Sequence, residues 1–252
     1  LSIALVVLIF SCETNIENKP TISENLNSNT KNDMDSLKII EEKVILKKDT
    51  SELERNLIDA NLIDIQQVAT SVFVNLKYST TDNFVGIDMY GNLDKAYCQP
   101  DVAEKIAKAQ TFLSQEDSGL FLLIFDAVRP ISVQQKMWDT LKMPIREKTK
   151  FLSNPRNHSI HNYGAAVDIS ICNKNGEELD MGTPFDFIGK LAHPREEKRL
   201  LKSGEITQKQ VENRKLLRKV MKKAGFFNIQ TEWWHWNSCS RNTAKSKYKL
   251  VR

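Results

Sequence analysis

Residues 165–172, AAVDISIC, most narrow what this chain can fold into. Val167, Ile169 and Ile171 alternate with Ala166, Asp168 and Ser170. That is the period of a β-strand, whose successive side chains point to opposite faces. The pattern predicts a half-buried strand with an apolar face in the core and a polar face, carrying Asp168, that can line a site. Asn173-Lys174-Asn175-Gly176 then reads as a hairpin-like turn. Val102, Ile106, Ala109 and Leu113 recur at helical spacing behind Pro100-Asp101, and Ser118-Gly119 stops that helix. Residues 120–125, LFLLIF, read as a buried strand, and Pro130 opens a helix through about Trp138. Residues 66–77 are β-branched and mixed, a strand or helix leading into a loop. Thr207 with Gln210 forms a capping box for a helix that reaches Ala224 before Gly225. Its basic residues Lys209, Arg214, Lys215, Arg218, Lys219, Lys222 and Lys223 read as a solvated face rather than a binding patch. Strands and helices mix without a βαβ rhythm, so the expected class is α+β. The expected architecture is a single domain with a small, mostly antiparallel central sheet flanked by helices.

The beginning of the chain reads differently. Residues 1–11, LSIALVVLIFS, are apolar apart from Ser2 and Ser11. The run is shorter than the ~20 residues of a membrane-spanning helix but suits the ~7–15 residues of a signal-peptide core. No Met and no basic segment precede it, so its true start is expected to be missing. Ser11-Cys12 after this core resembles the bacterial lipoprotein signal. That resemblance implies cleavage before Cys12, acylation of its thiol, and an exported protein anchored to a membrane on the envelope side. Each buried CH₂ of such an anchor contributes ~0.8 kcal/mol. Residues 13–48 are rich in Asn, Lys, Ser, Thr, Glu and Asp and lack aromatics, so residues 12–57 are expected to be a solvated tether. The folded domain is placed at 58–252.

Composition removes several classes of function. Apolar residues make up 40% and charged residues 27%, close to the globular averages of ~45–50% and ~25%, which excludes disorder of the whole chain. Lys+Arg 36 against Asp+Glu 32 gives a net +4, too balanced for nucleic acid as the main partner. Four Cys are too few for a disulfide scaffold. Cys98, Cys172 and Cys239 remain after Cys12, and both a pair among them and buried free thiols stay open.

Chemistry concentrates around two of the four His. His161 precedes the Gly164 turn, and Asp168 projects from the polar face of the strand that follows. A turn feeding a strand can bring an imidazole and a carboxylate to one point, and both are ordinary zinc ligands. Near the other end stands Glu232-Trp233-Trp234-His235. An extended strand would put Glu232 and His235 on opposite faces, so a local bend is expected here. His235 can supply a third ligand, leaving Glu232 beside the metal as a base. Two neutral His and one Asp on Zn²⁺ leave one open position, the catalytic arrangement. His158, three residues from His161, is the internal competitor as a ligand, and His193 reads as a loop residue.

S-x-H-x-x-G-x-A-x-D followed by E-x-W-H resembles the zinc-site signature of the D-alanyl-D-alanine dipeptidases (the VanX type), relatives of the D,D-carboxypeptidases. The resemblance extends to residues 76–84, LKYSTTDNF, to Asp126-Ala127-Val128-Arg129-Pro130, to residues 181–187, MGTPFDF, and to Asn213-Arg214 with Met221 and Gly225-Phe226. Order and spacing hold from about Val74 to Trp236. The resemblance implies that His161, Asp168 and His235 bind Zn²⁺ on the sheet face. It implies that Glu232 is general base and then general acid, and that Arg129 stabilises the oxyanion. Tyr78, Ser159 and Asp186 match positions that shape a small dipeptide pocket; on charge grounds Asp186 suits the substrate ammonium. Val128 in place of the family's usual Tyr, and Asn162-Tyr163 in the turn, depart from the pattern and bear on substrate selectivity rather than on the metal. The implied substrate is D-Ala-D-Ala or a wall-derived peptide. The rivals are a D,D-carboxypeptidase acting on peptidoglycan stems and a non-catalytic wall-binding lipoprotein.

Overall fold

The computed structural model describes residues 50–149 and 152–252. The apolar segment 1–11, Cys12 and the polar stretch up to residue 49 lie outside the described residues. Ser51 caps the first helix, its Oγ accepting from the Glu54 backbone N–H at 3.1 Å, and α1 runs Glu52–Asp59 with Leu57 buried. Two short strands follow, β1 (Ile63–Asp64) and β2 (Phe73–Val74), separated by a 3₁₀ turn. Residues 66–77, read as strand or helix, are thus mostly turn and loop. β3 (Tyr97–Cys98) pairs antiparallel with β1 in a small separate ribbon.

α2 (Pro100–Glu116) has Pro at its first position and Asp101 in its first turn, where the missing donor and the dipole favour them. Its Val102, Ile106, Ala109 and Leu113 are buried, as their spacing predicts. β4 (Leu120–Asp126) leads through Pro130 into α3 (Ile131–Thr140) and a single-turn α4 (Ile145–Lys148). β5 (Ala166–Asn173) is followed by α5 (Glu197–Ser203) and α6 (Gln208–Lys223). The predicted capping box of α6 is present, with Thr207 Oγ1 accepting from Gln210 N–H at 3.2 Å and Gln210 Oε1 accepting from Thr207 N–H at 2.8 Å. β6 (Phe227–Asn228), β7 (His235–Asn237) and α7 (Arg241–Lys247) complete the fold.

The main sheet has the order β2-β4-β5-β7-β6. β2 and β4 are parallel, and the other three neighbouring pairs are antiparallel. α2 and α6 pack on each other and against β4 and β5. This is the expected α+β domain with a mostly antiparallel sheet.

Two expectations need correction. β5 is buried on both faces rather than half-buried: Ser170 is 0% and Asp168 3% exposed. After the Asn173–Gly176 turn the chain folds back, and Glu178 Oε1 accepts from Ser170 Oγ at 2.6 Å, covering the polar face. The second correction is Arg214, which leaves the solvated face of α6. It is 1% exposed, and its Nε donates to the Met181 carbonyl at 2.6 Å. The lysines of the same helix are exposed.

Candidate active site

Three adjacent strands place three side chains in a row. In register, Asp126 on β4 faces Asp168 on β5, which faces His235 on β7. The β4–β5 ladder slips between Ile124 and Asp126. Without that bulge Asp126 would oppose Val167, because side-chain direction has a period of two. The bulge thus puts a second carboxylate on the site face.

His161 comes from a 3₁₀ turn, Ile160–Tyr163, just before β5. Ser159 Oγ accepts from His161 N–H at 3.3 Å, and Asn162 Oδ1 accepts from Ser159 N–H at 2.6 Å, so the turn is capped from both sides. Gly164 ends it at φ +64°, a left-handed conformation open to glycine. The turn is laced to the segment after β4. Arg129 N–H donates to the His161 carbonyl at 3.1 Å, and Asn162 Nδ2 donates to the Arg129 carbonyl at 2.7 Å.

The hydrogen bonds of the two imidazoles fix their tautomers. His161 Nδ1 lies 2.6 Å from the Ala127 carbonyl oxygen, and His235 Nε2 lies 3.0 Å from Asn237 Oδ1. Both oxygens accept, so each of these nitrogens carries the proton. The other two nitrogens face inward as acceptors. His161 Nε2 and His235 Nδ1 are 3.1 Å apart, and Asp168 Oδ1 lies 3.4 and 3.0 Å from them. Three acceptors in a triangle, with no donor among them, fit a cation. Ligand bonds of ~2.0–2.1 Å at the tetrahedral angle put ligand atoms about 3.3 Å apart, close to all three edges. The bonds to Ala127 and Asn237 orient the ligands as outer partners do in metal sites. His158 is not part of this group: its ring stacks edge-on against Tyr163 at 6.4 Å.

A cavity of about 590 Å³ opens over the triangle. Tyr78, Arg129, Ser159, His161, Asp168, Asp186, Glu232 and His235 all line it, so the structure brings every site residue expected within the fold to one place. Glu232 reaches the cavity through the expected bend, since residues 233 and 234 turn before β7 begins. Burial raises its carboxyl above the ordinary value, with the nearby Asp168 charge adding to this. Arg129 is clamped by Asp126, with Nε at 3.0 Å and Nη2 at 2.5 Å from Oδ2, while Nη2 also lies 3.4 Å from Asp168 Oδ2. Tyr90 OH donates to the other Asp126 oxygen at 2.6 Å. Tyr78 lies under the Arg129 guanidinium at 4.9 Å and donates to Asp186 Oδ2 at 2.9 Å. Asp186 sits at φ +60°, and burial raises its carboxyl well above the usual range.

Asp126, Tyr90, Asn162 and Asn237 went unassigned by sequence reasoning. Asn237 carried a usable signal, being two residues after His235 and therefore on the same strand face. Tyr90 carried none.

The model of the family described as D-Ala-D-Ala dipeptidase matches residues 58–250, a range that holds all eight cavity residues named above. The chain belongs to the D-Ala-D-Ala dipeptidase family. Among curated relatives of the family, the D-alanyl-D-alanine dipeptidase of Escherichia coli is 29% identical over 174 residues, covering 69% of this chain and 82% of the relative. That of Enterococcus faecium is 26% identical over 188 residues, covering 68% and 88%. That of Enterococcus faecalis is 28% identical over 176 residues, covering 64% and 82%. The His161-Asp168-His235 triangle could hold a metal ion, and the cavity opens above it.

Proposed function

We propose that this chain is a zinc-dependent D-alanyl-D-alanine dipeptidase, acting at the cell envelope from a lipid anchor on Cys12, with the polar stretch before the first helix as its tether. The observation that carries the catalytic reading is the triangle of acceptor atoms with the raised Glu232 carboxyl beside it. An N,N,O donor set with tetrahedral edges suits zinc. When bound, the ion supplies Lewis acidity and brings the pKa of water from ~15.7 towards ~7. The protein groups do the rest. Glu232 takes a proton from the attacking water and returns it to the leaving amine, a task helped by a carboxyl pKa nearer neutrality. Arg129, held by Asp126 and Tyr78, presents a fixed positive charge to the carbonyl oxygen as it becomes negative. Asp186 and Tyr78 receive the substrate ammonium, which supplies the positive charge that the buried carboxylate lacks. A closed end that captures a free ammonium favours a dipeptide over a longer chain. The anchor and export rest on the apolar core and the Ser11-Cys12 junction.

One observation favours the alternative, a D,D-carboxypeptidase acting on wall stems. A cavity of about 590 Å³ falls in the ~300–1,000 Å³ range of drug-sized sites and leaves room beyond two alanines. The deciding assay offers the zinc-loaded full chain free D-Ala-D-Ala and, separately, the same dipeptide at the end of a wall pentapeptide. Glu232→Ala and chelator-treated protein are the controls. The dipeptidase reading expects cleavage of the free dipeptide alone, lost in both controls. Cleavage of the pentapeptide at a comparable rate establishes the carboxypeptidase, and cleavage that survives loss of Glu232 removes the mechanism.

A further inference from the structure

Asp186 and Glu232 line one cavity but come from segments far apart in the chain. One side chain behind that cavity joins the two segments. Arg214 is buried on α6, and its Nε donates to the Met181 carbonyl at 2.6 Å. Its guanidinium lies 5.8 Å from the centre of the Trp233 indole, within cation–π range. Trp233 Nε1 in turn donates to Thr183 Oγ1 at 2.8 Å. Arg214, Met181, Thr183 and Trp233 thus form a closed circuit. Asp186 follows three residues after Thr183, and Glu232 directly precedes Trp233. Gln210 and Asn213, on the same face of α6 as Arg214, pin the start of the loop. Asn213 Nδ2 donates to the Asp180 carbonyl at 2.8 Å, and Gln210 Nε2 donates to Asp180 Oδ2 at 2.9 Å. Gly182, at φ +81°, lets the loop lie this close, since a Cβ there would stand 3.1 Å from Gln210 Cδ. Arg214 gains little stability from its surroundings. Its Nη1 stands 3.7 Å from Glu197 Oε1, too far for a hydrogen bond, and neither Nη atom has a hydrogen-bond partner among the described residues. Glu197 instead accepts from Arg218 with both oxygens, at 2.8 and 2.6 Å. The desolvation of a buried cation paired this loosely offsets its attraction to its neighbours, so what it contributes is geometry.

We propose that Arg214 is a positioning residue, a brace that fixes Asp186 relative to the base Glu232. Its consequence for turnover rests on the dipeptidase reading and deepens it. Arg214 lies behind the cavity wall and acts through Met181, Thr183 and Trp233. The spacing it holds is the one a substrate bridges between its ammonium and its scissile carbonyl. An α-amino residue spans that gap; a β-amino residue, one methylene longer, is out of register with it.

The test compares the full chain with Arg214→Met and Thr183→Val, which open the circuit from opposite sides. Arg214→Met strands no charge, because Glu197 keeps Arg218, so its melting temperature should stay within about 4 °C of the parent. In the metal-free chain, the backbone amides of residues 182–186 and 232–234 should exchange hydrogen at least about tenfold faster in both variants, with β4 unchanged. In the zinc-loaded chain, kcat/KM for D-Ala-D-Ala should fall about 10- to 100-fold, the scale of a displacement of about 1 Å. β-Alanyl-D-alanine supplies a readout that lost stability does not move. One methylene gives ~10–200-fold discrimination, and the preference for D-Ala-D-Ala over this substrate should shrink at least about fivefold in each variant. The double variant should do no more than the stronger single one, since both open the same circuit. Arg214→Lys should fall between, keeping the charge without the planar fork. Unchanged exchange in both variants overturns the proposal. So do losses of turnover that follow the melting temperature while the α-over-β preference holds, which would make Arg214 a core residue only. If Arg214→Met does not fold, Thr183→Val decides by the same readings. Faster loop exchange in variants of a parent without Glu232-dependent cleavage would sink the dipeptidase reading and leave the brace standing; cleavage with unmoved loop exchange would sink the brace alone.

Discussion

Asp126→Asn is the sharpest probe of how the fold holds its chemistry. Asp126 is 0% exposed, and its Oδ2 accepts from Arg129 Nε and Nη2 at 3.0 and 2.5 Å, while Oδ1 accepts from Tyr90 OH at 2.6 Å. Asparagine keeps the shape, and its one oxygen can still serve Tyr90. Its amide N–H₂ then meets the guanidinium, donor against donor. Two charge-assisted bonds are lost, each contributing about 1.5–3 kcal/mol, and a buried Arg129 is left with Asp168 alone. Removing one partner of a buried pair costs about 3–5 kcal/mol. For a unit of this size that is a fall in Tm of roughly 6–20 °C, at ~2–4 °C per kcal/mol. The assay is thermal unfolding of the metal-free full chain, which keeps metal binding out of the comparison. Turnover of the zinc-loaded variant should fall at least about tenfold, a fraction of the ~10²–10³ typical for loss of an oxyanion donor, as Arg129 shifts towards Asp168. A stability loss under about 1 kcal/mol with unchanged kcat would refute the view that Asp126 both neutralises and aims Arg129.

Glu232→Gln should keep its metal and lose turnover by at least ~10²-fold, with the acid limb of the wild-type kcat/KM profile above the ordinary Glu range. The same variant reports on stability. Burial raises the Glu232 carboxyl in the fold, so its ionised form destabilises the metal-free protein above that raised value. Below the unfolded value of ~4.3 the proton is on in both states and the penalty vanishes. The Gln variant should therefore melt higher than wild type at pH 8 and together with it near pH 4; a lower midpoint at pH 8 would contradict this. Gly164→Ala should cost about 2 kcal/mol in urea denaturation and weaken zinc retention, because left-handed backbone disfavours a Cβ by ~1–2 kcal/mol. The added Cβ would also stand 2.9 Å from Leu62 Cδ2. Full stability in that variant would show that the turn can rebuild without moving His161.

The family signature is legible in the sequence because each of its motifs depends on residues a few positions apart. So do the α2 stripe, the Thr207–Gln210 box and the Gly164 turn, all set by local backbone geometry. The ligand types were legible for the same reason, since His161, Gly164 and Asp168 fall within one turn and one strand. Burial was not. The alternation of β5 shows two kinds of face, but only the returning Glu178 segment decides that the polar face is covered as well. Arg214 looked like its solvated neighbours on α6 until the Met181 carbonyl took its Nε. Asp126 reached the site through a bulge in the β4–β5 ladder, and no period in the β4 sequence announces a slip that exists only against a partner strand. Tyr78, Arg129 and Asp186 converge from separate loops. Chain neighbours determine turns, caps and periods; register, bulges and the covering of polar groups are decided by contacts between residues far apart in sequence, which form only when the whole sheet is assembled.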